Sequence, residues 1–129
     1  MKLKQKVKLY TTKAAVNGDV EPCVFVHFAA DNIKEKSLME VLNSDFFKGF
    51  RKRQPYTKNH LRPCCIIDNP HVLREIVAET GAYPTHDGAE TVIGCLAKPL
   101  DKYADDYKKI ADKAWEEEYE PREDIEAAA

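Results

Sequence analysis

Ala14-Ala15-Val16-Asn17-Gly18-Asp19-Val20-Glu21-Pro22-Cys23 is the stretch on which the fold turns. Asn17-Gly18 stands between apolar residues, and the type I′ turn that Asn-Gly favours needs positive φ, which glycine tolerates best, so a β-hairpin is predicted here. Its second arm runs from Val20 to Phe28 and is interrupted by Pro22, whose missing N–H confines it to an edge or to the start of a strand. Pairing is therefore expected to resume after Cys23. Upstream, Leu3, Val7 and Leu9 share one parity while Lys2, Lys4, Lys6 and Lys8 share the other, the period of a strand with one wet face whose lysines also blunt a free edge.

Downstream the period changes to that of helices. Ser37-Leu38-Met39-Glu40 has the capping-box pattern, and Leu38, Leu42, Phe46 and Phe50 follow at intervals of four. Asn43-Ser44-Asp45 can also be read as the stop of one short helix and the cap of the next. Asn69 is expected to cap a helix that has Pro70 at its first position and Gly81 just beyond its end, with Leu73, Ile76 and Val77 facing the core. Ala89, Val92, Ile93, Leu96 and Ala97 fall at helical spacing, although Gly94 weakens that helix by about 1 kcal/mol relative to alanine. Pro99 opens the last helix, where Leu100, Tyr103, Ala104, Tyr107, Ile110, Ala111, Ala114 and Trp115 form one core-facing stripe. The expected architecture is a single small α+β domain over residues 1–119, an N-terminal β-hairpin followed by several helices, with an acidic, frayed tail over 120–129.

The 129 residues leave room for one domain of modest core, since 43% are hydrophobic and 33% charged. A formal net charge of −2 and a pI near 6.1 exclude a global basic field for nucleic acid or anionic membrane. Lys48, Arg51, Lys52 and Arg53 form a local basic patch beside Phe46, Phe47 and Phe50, but these rings are at core spacing and the cations read as a solvated helix end. No nucleic-acid partner is expected. Neither a signal-peptide h-region nor a run of eighteen apolar residues occurs, so the expected location is the cytoplasm, with no membrane partner. Phosphate loops, His-Glu-x-x-His and nucleophile elbows are missing as well.

Chemistry is left to the four cysteines, Cys23, Cys64, Cys65 and Cys95, which in a reducing compartment stay as thiols, bind metal or do redox work. Cys23 and Cys64 each follow a proline that stiffens the preceding backbone and aims the thiol, an arrangement suited to a ligand of an iron–sulfur cluster. The plainer reading is that both are buried packing residues. His27 lies four residues beyond Cys23, about 13 Å along a strand, too far to share one ion with it, and is read as a sheet histidine with a hydrogen-bonded ring. Adjacent side chains diverge, so one of Cys64 and Cys65 is expected to ligate and the other to pack; Cys95 is equally suited to packing. Zinc is disfavoured because no close Cys-x-x-Cys pair exists.

Val16-Asn17-Gly18-Asp19-Val20-Glu21-Pro22-Cys23-Val24-Phe25-Val26-His27-Phe28, Asn43-Ser44-Asp45-Phe46-Phe47 and Asn59-His60-Leu61-Arg62-Pro63-Cys64 resemble the C-terminal region of certain radical SAM proteins, and Asp68-Asn69-Pro70 with Pro99-Leu100-Asp101-Lys102-Tyr103-Ala104 are similar to the end of that region. The resemblance, from about Tyr10 to Tyr119, is to a SPASM-type extension. It implies an auxiliary iron–sulfur cluster of the 4Fe–4S type with Cys23 and Cys64 as ligands, and Cys65, where relatives often have proline, as a substitute metal ligand. A further family cysteine upstream of the hairpin has no counterpart. The radical SAM barrel, with its Cys-x-x-x-Cys-x-x-Cys motif, is missing from the sequence, so S-adenosylmethionine would enter only through a barrel supplied in cis or in trans. By this reading the chain is not catalytic alone but part of an oxidoreductase-type enzyme. The alternative is a metal-free protein-interaction module that retains the fold.

Overall fold

The computed structural model describes residues 13–120. The strand expected over the first eight residues, and all of the expected acidic tail except Glu120, lie outside the described residues.

The hairpin forms, with β1 (Lys13–Ala14) antiparallel to β2 (Val20–Glu21) and Ala14 opposite Val20. Its turn is not type I′. Among the described residues no position other than glycine has positive φ, so Asn17 does not adopt the conformation such a turn demands. Gly18 N–H donates to Ala15 O (2.9 Å), Ala15 N–H donates to Asp19 O (2.8 Å), and Gly18 alone sits at φ +95°. That is a three-residue loop closed by a left-handed glycine. Asn17 is held instead by its neighbour: its Oδ1 accepts Asp19 N–H, and its Nδ2 donates to the Asp19 carboxylate at 2.7 Å.

The second arm also departs from expectation. After Pro22 the chain turns at Cys23, with Val26 N–H donating to Cys23 O (3.3 Å), and does not return to β1. β3 (Phe28–Ala29) pairs with β4 (Tyr83–Pro84), giving two separate two-stranded pairs. Proline removes the donor that would continue the first ladder. Val26 and Phe28 are buried while Val24 and Phe25 stay exposed, so burial favours the redirection.

α1 (Leu38–Leu42) starts at a complete capping box, in which Ser37 Oγ accepts Glu40 N–H and Glu40 Oε2 accepts Ser37 N–H at 2.8 Å. The helix stops at Asn43, and Ser44 caps α2 (Asp45–Arg53) by accepting Phe47 N–H. This break takes Leu38 off the apolar stripe and leaves it exposed, and Val41 enters the core in its place. Phe46 meets Phe47 and Phe50 edge-to-face at 5.8 and 5.2 Å, a favoured aromatic geometry, so these rings are core and not a stacking platform. α3 (Pro70–Thr80) ends at Gly81, φ +66°, as the sequence predicts, and Leu73, Ile76 and Val77 are buried. Gly49 lets α2 approach α3: a Cβ there would lie 3.2 Å from Ile76 Cγ2. Arg53 at the end of α2 donates to Glu79 Oε1 of α3 (2.5 Å).

The helix expected from Ala89 to Ala97 is only a 3₁₀ turn, Ala89–Val92, followed by further turns. α4 (Ala97–Ala114) begins beyond Gly94, carries Pro99 in its first turn where no N–H is required, and runs into a π-helical turn, Trp115–Tyr119. Its stripe is narrower than predicted. Ala104, Ala111 and Trp115 are buried, whereas Tyr103 and Ile110 are 53% and 70% exposed, because α4 covers the domain along one thin line of small residues. Among the described residues no helix is long and apolar enough to cross a membrane.

Candidate functional site

The two Pro-Cys segments share one contact. Phe25 N–H donates to Cys23 Sγ at 3.4 Å, and Ile66 N–H donates to Cys64 Sγ at 3.4 Å, so in each the amide two residues on faces the sulfur. Such a donor stabilises negative charge on sulfur, as a thiolate ligand requires. Both cysteines are partly exposed.

The Cys64 turn is held from behind. Cys64 N–H donates to Asp68 Oδ2 (2.9 Å), and Asn69 Nδ2 donates to both Arg62 O (2.9 Å) and Cys64 O (3.1 Å). Asp68 and Asn69 are buried. Asn69 stands at the N-cap position of α3 but makes no side-chain cap bond, so its expected role is replaced by that of a clamp on the cysteine turn. The signal was present as Cys64-x-x-x-Asp68-Asn69, since short Asx side chains readily bond nearby backbone.

Cys65 lies on the core side, buried with its thiol pushed up to about 12, first by burial and then by the charges of Cys64 and Cys23. Tyr56 is likewise raised, by burial and then by Cys65, Cys23 and Cys64. The three sulfurs therefore share one electrostatic neighbourhood beside the Tyr56 phenol, which accepts a hydrogen bond from Gln54 Nε2 (3.2 Å). Cys95 is exposed in the turns ahead of α4 and is not among the charges acting on Tyr56 or Cys65. His27 is turned to a different neighbour: its Nδ1 lies 3.7 Å from Glu21 Oε1 and its ring 4.4 Å from that of His86. Among the described residues no group of three or more His, Cys, Asp or Glu side chains is placed to hold a metal ion. The donor chemistry nonetheless fits an iron–sulfur group at two positions, Cys23 and Cys64, where thiol and backbone amide already face each other.

Polar contacts anchor the hairpin loop and the segment ahead of Cys64. Asn32 packs on Gly18, where a Cβ would meet its Oδ1 at 2.4 Å, and donates to Asn17 O and Asp19 Oδ1. Burial pushes the Asp19 carboxyl up, but hydrogen bonds from Tyr83, Asn17 and Asn32 outweigh it and hold the group below its ordinary range. Glu21, just ahead of Pro22, also feels burial first, yet Lys13, Thr85 and His27 keep it below its ordinary range. On the other side Asn59 Nδ2 and Arg62 Nη1 donate to Asp112 Oδ1 at 2.8 and 3.1 Å, and Tyr107 donates to Leu61 O (3.1 Å). Asn59 foremost, with Arg62, holds the Asp112 carboxyl below its ordinary range. α4 thus braces the loop that delivers Cys64.

Fold and site together define a small α+β domain that carries partly exposed cysteine thiols on two proline-led turns. Residues 10–66 match the family model of the SPASM domain, an iron–sulfur cluster-binding domain, and the matched stretch carries Cys23, Cys64 and Cys65. The resemblance drawn from the sequence extends to Tyr119; the match covers its first part, and α3 and α4 lie outside it. No curated protein and no solved structure matches the chain.

Proposed function

We propose that this chain is the auxiliary domain of a radical SAM enzyme, or a descendant of one, and that it binds an iron–sulfur cluster of the 4Fe–4S type next to a barrel supplied in cis or in trans. The observation that carries the reading is the repeated geometry of the Pro-Cys turns, each with an amide aimed at sulfur, inside the stretch that matches a cluster-binding family. Cys23 and Cys64 would hold the cluster. Cys65 is the third candidate sulfur, and to ligate it must lose its proton and turn out of the core, which a bound metal can drive. A bound cluster would supply one-electron transfer or a coordination site for substrate. The chain's own part is to hold the sulfurs and to anchor the Cys64 turn through Asp68, Asn69 and the Asp112 brace.

Anaerobic reconstitution with iron and sulfide, read by visible charge-transfer absorbance and by iron and sulfide analysis, tests this. The wild-type chain is expected to load, and Cys23→Ser and Cys64→Ser each to lose most of the iron. Cys65→Ser separates ligation by two of these cysteines from ligation by three. A colourless protein free of iron would leave the metal-free interaction module as the reading.

A further inference from the structure

The pairing of β3 with β4 carries two histidines to one place. Phe28 lies opposite Pro84, and Thr85 N–H donates to His27 O (2.9 Å), so the contact between the strands runs on past Pro84 and delivers His86 beside His27. The ring centroids are 4.4 Å apart and the planes are tilted by 57°, which is not a flush stack. Two imidazoles bound to one ion through nitrogen at about 2.0–2.1 Å, at an angle of about 90–110°, hold their centroids about 4.5–5 Å apart. The two rings already stand close to that spacing.

Each ring is also oriented through its Nδ1. His86 Nδ1 lies 3.0 Å from Asp87 O, and since a carbonyl only accepts, Nδ1 carries the hydrogen and Nε2 keeps its lone pair. His27 Nδ1 faces the Glu21 carboxylate, 3.7 Å from Oε1, a negative charge that favours hydrogen on the same nitrogen. Glu21 is 2% exposed and fixed at both oxygens: Thr85 Oγ1 donates to Oε1 (2.5 Å), and Lys13 Nζ pairs with Oε2 (2.7 Å). A backbone carbonyl behind one imidazole and a carboxylate behind the other are the outer partners that metal-bound histidines ordinarily have. Among the described residues neither Nε2 has a hydrogen-bond partner, and His86 is exposed while His27 is half-buried, so an ion can reach both.

We propose that His27 and His86 bind a divalent ion of the zinc class through their Nε2 atoms, with water completing its shell, so that the ion clasps β3 to β4. Imidazole nitrogen suits such ions, and two ligands plus water make an open site, in keeping with the lack of any three-residue metal group among the described residues. The site uses no thiol and does not need an iron–sulfur cluster in place.

The test is a zinc chloride titration of the full, iron-free chain, isotope-labelled at the histidine ring nitrogens and followed by ring proton–nitrogen correlation NMR at about pH 8, where imidazole is an uncharged ligand. Each ring nitrogen is seen separately, so zinc taken up by thiols does not enter the reading. Before zinc, both rings are expected to carry hydrogen on Nδ1. On addition, the Nε2 signals of His27 and His86 are expected to shift along one saturation curve, with His60 and His71 staying in place. His86→Gln should weaken the His27 response about tenfold or more, and His27→Gln should do the same at His86, since even the loss of an outer partner costs a metal site about that much. The side chain of His86 is exposed, so its replacement leaves the core untouched. No shift at millimolar zinc, separate curves for the two rings, equal shifts at all four histidines, or an unchanged response in the single variants overturns the proposal. Because iron is absent throughout, either result leaves the cluster reading to its own experiment.

Discussion

Asn69→Asp separates two roles for one side chain. If Asn69 acted as an N-cap, aspartate would serve as well and would add a favourable charge at the helix start. The structure assigns it a different task, since its Nδ2 supplies the two N–H bonds that reach Arg62 O and Cys64 O. Aspartate keeps the volume and removes both donors. Cys64 O retains the Asn69 backbone N–H (2.9 Å), so that loss is one ordinary bond, about 1 kcal/mol. Arg62 O loses the side-chain donor that reaches it in a site where Asn69 is 3% exposed, a further ~1–3 kcal/mol. The sum is roughly 2–4 kcal/mol, which at ~1.5 kcal/mol per molar urea lowers the unfolding midpoint by about 1.5–2.5 M. Equilibrium urea unfolding of the iron-free chain, followed by far-UV circular dichroism, reads it directly. A midpoint equal to or above that of the wild type would refute the clamp and restore the cap.

Gly18→Ala is expected to destabilise by ~1–3 kcal/mol, from the φ of +95° and the Asn32 Oδ1 atom 2.4 Å from the new Cβ, and thermal unfolding should show it; an unchanged melting temperature would count against the close approach. Ile76→Ala, at a fully buried position against Gly49, is expected to cost ~2–5 kcal/mol in urea unfolding. Asp19 and Glu21 titrate below their ordinary values of 3.8 and 4.5 in the folded chain. Groups depressed on folding stabilise above the unfolded pKa and lose that contribution as pH falls through the folded one, so stability should decline from about pH 5 downward. Glu21→Gln should flatten part of this decline in urea midpoints measured between about pH 5 and 3, and identical pH slopes would exclude Glu21 as a source.

Local chemistry was legible wherever it acts within a few residues. Ser37 with Glu40, Pro70 with Gly81, and the stop at Asn43-Ser44 all do in the structure what their spacing implies. Legibility failed where a distant partner decides. The arm after Pro22 pairs with Tyr83–Pro84, some 55 residues on, and no local pattern near Phe28 announces that strand. In α4, alternation of small and large residues looked like a broad buried stripe, but alanines bring the helix close along one line and leave Tyr103 and Ile110 outside. For the site, each Pro-Cys pair falls in a segment where the amide two residues on faces the sulfur. That the loop ahead of Cys64 is braced by Asn59 and Arg62 meeting Asp112, about 50 positions away, is something spacing alone does not reveal.

The brace from Asp112 also sets the shortest useful recombinant fragment. A piece cut at residue 66, where the family match ends, would keep every candidate sulfur yet lack Leu73 and Ile76, which are 1% and 0% exposed in the same apolar cluster as Phe46 and Phe50. Phe46 and Phe50 would then face water, and the loop carrying Arg62 would have no carboxylate to rest on. Such a fragment is expected to collect in inclusion bodies, so the unit of homology is smaller than the unit of folding, and spectroscopy on the thiols calls for the chain through Trp115.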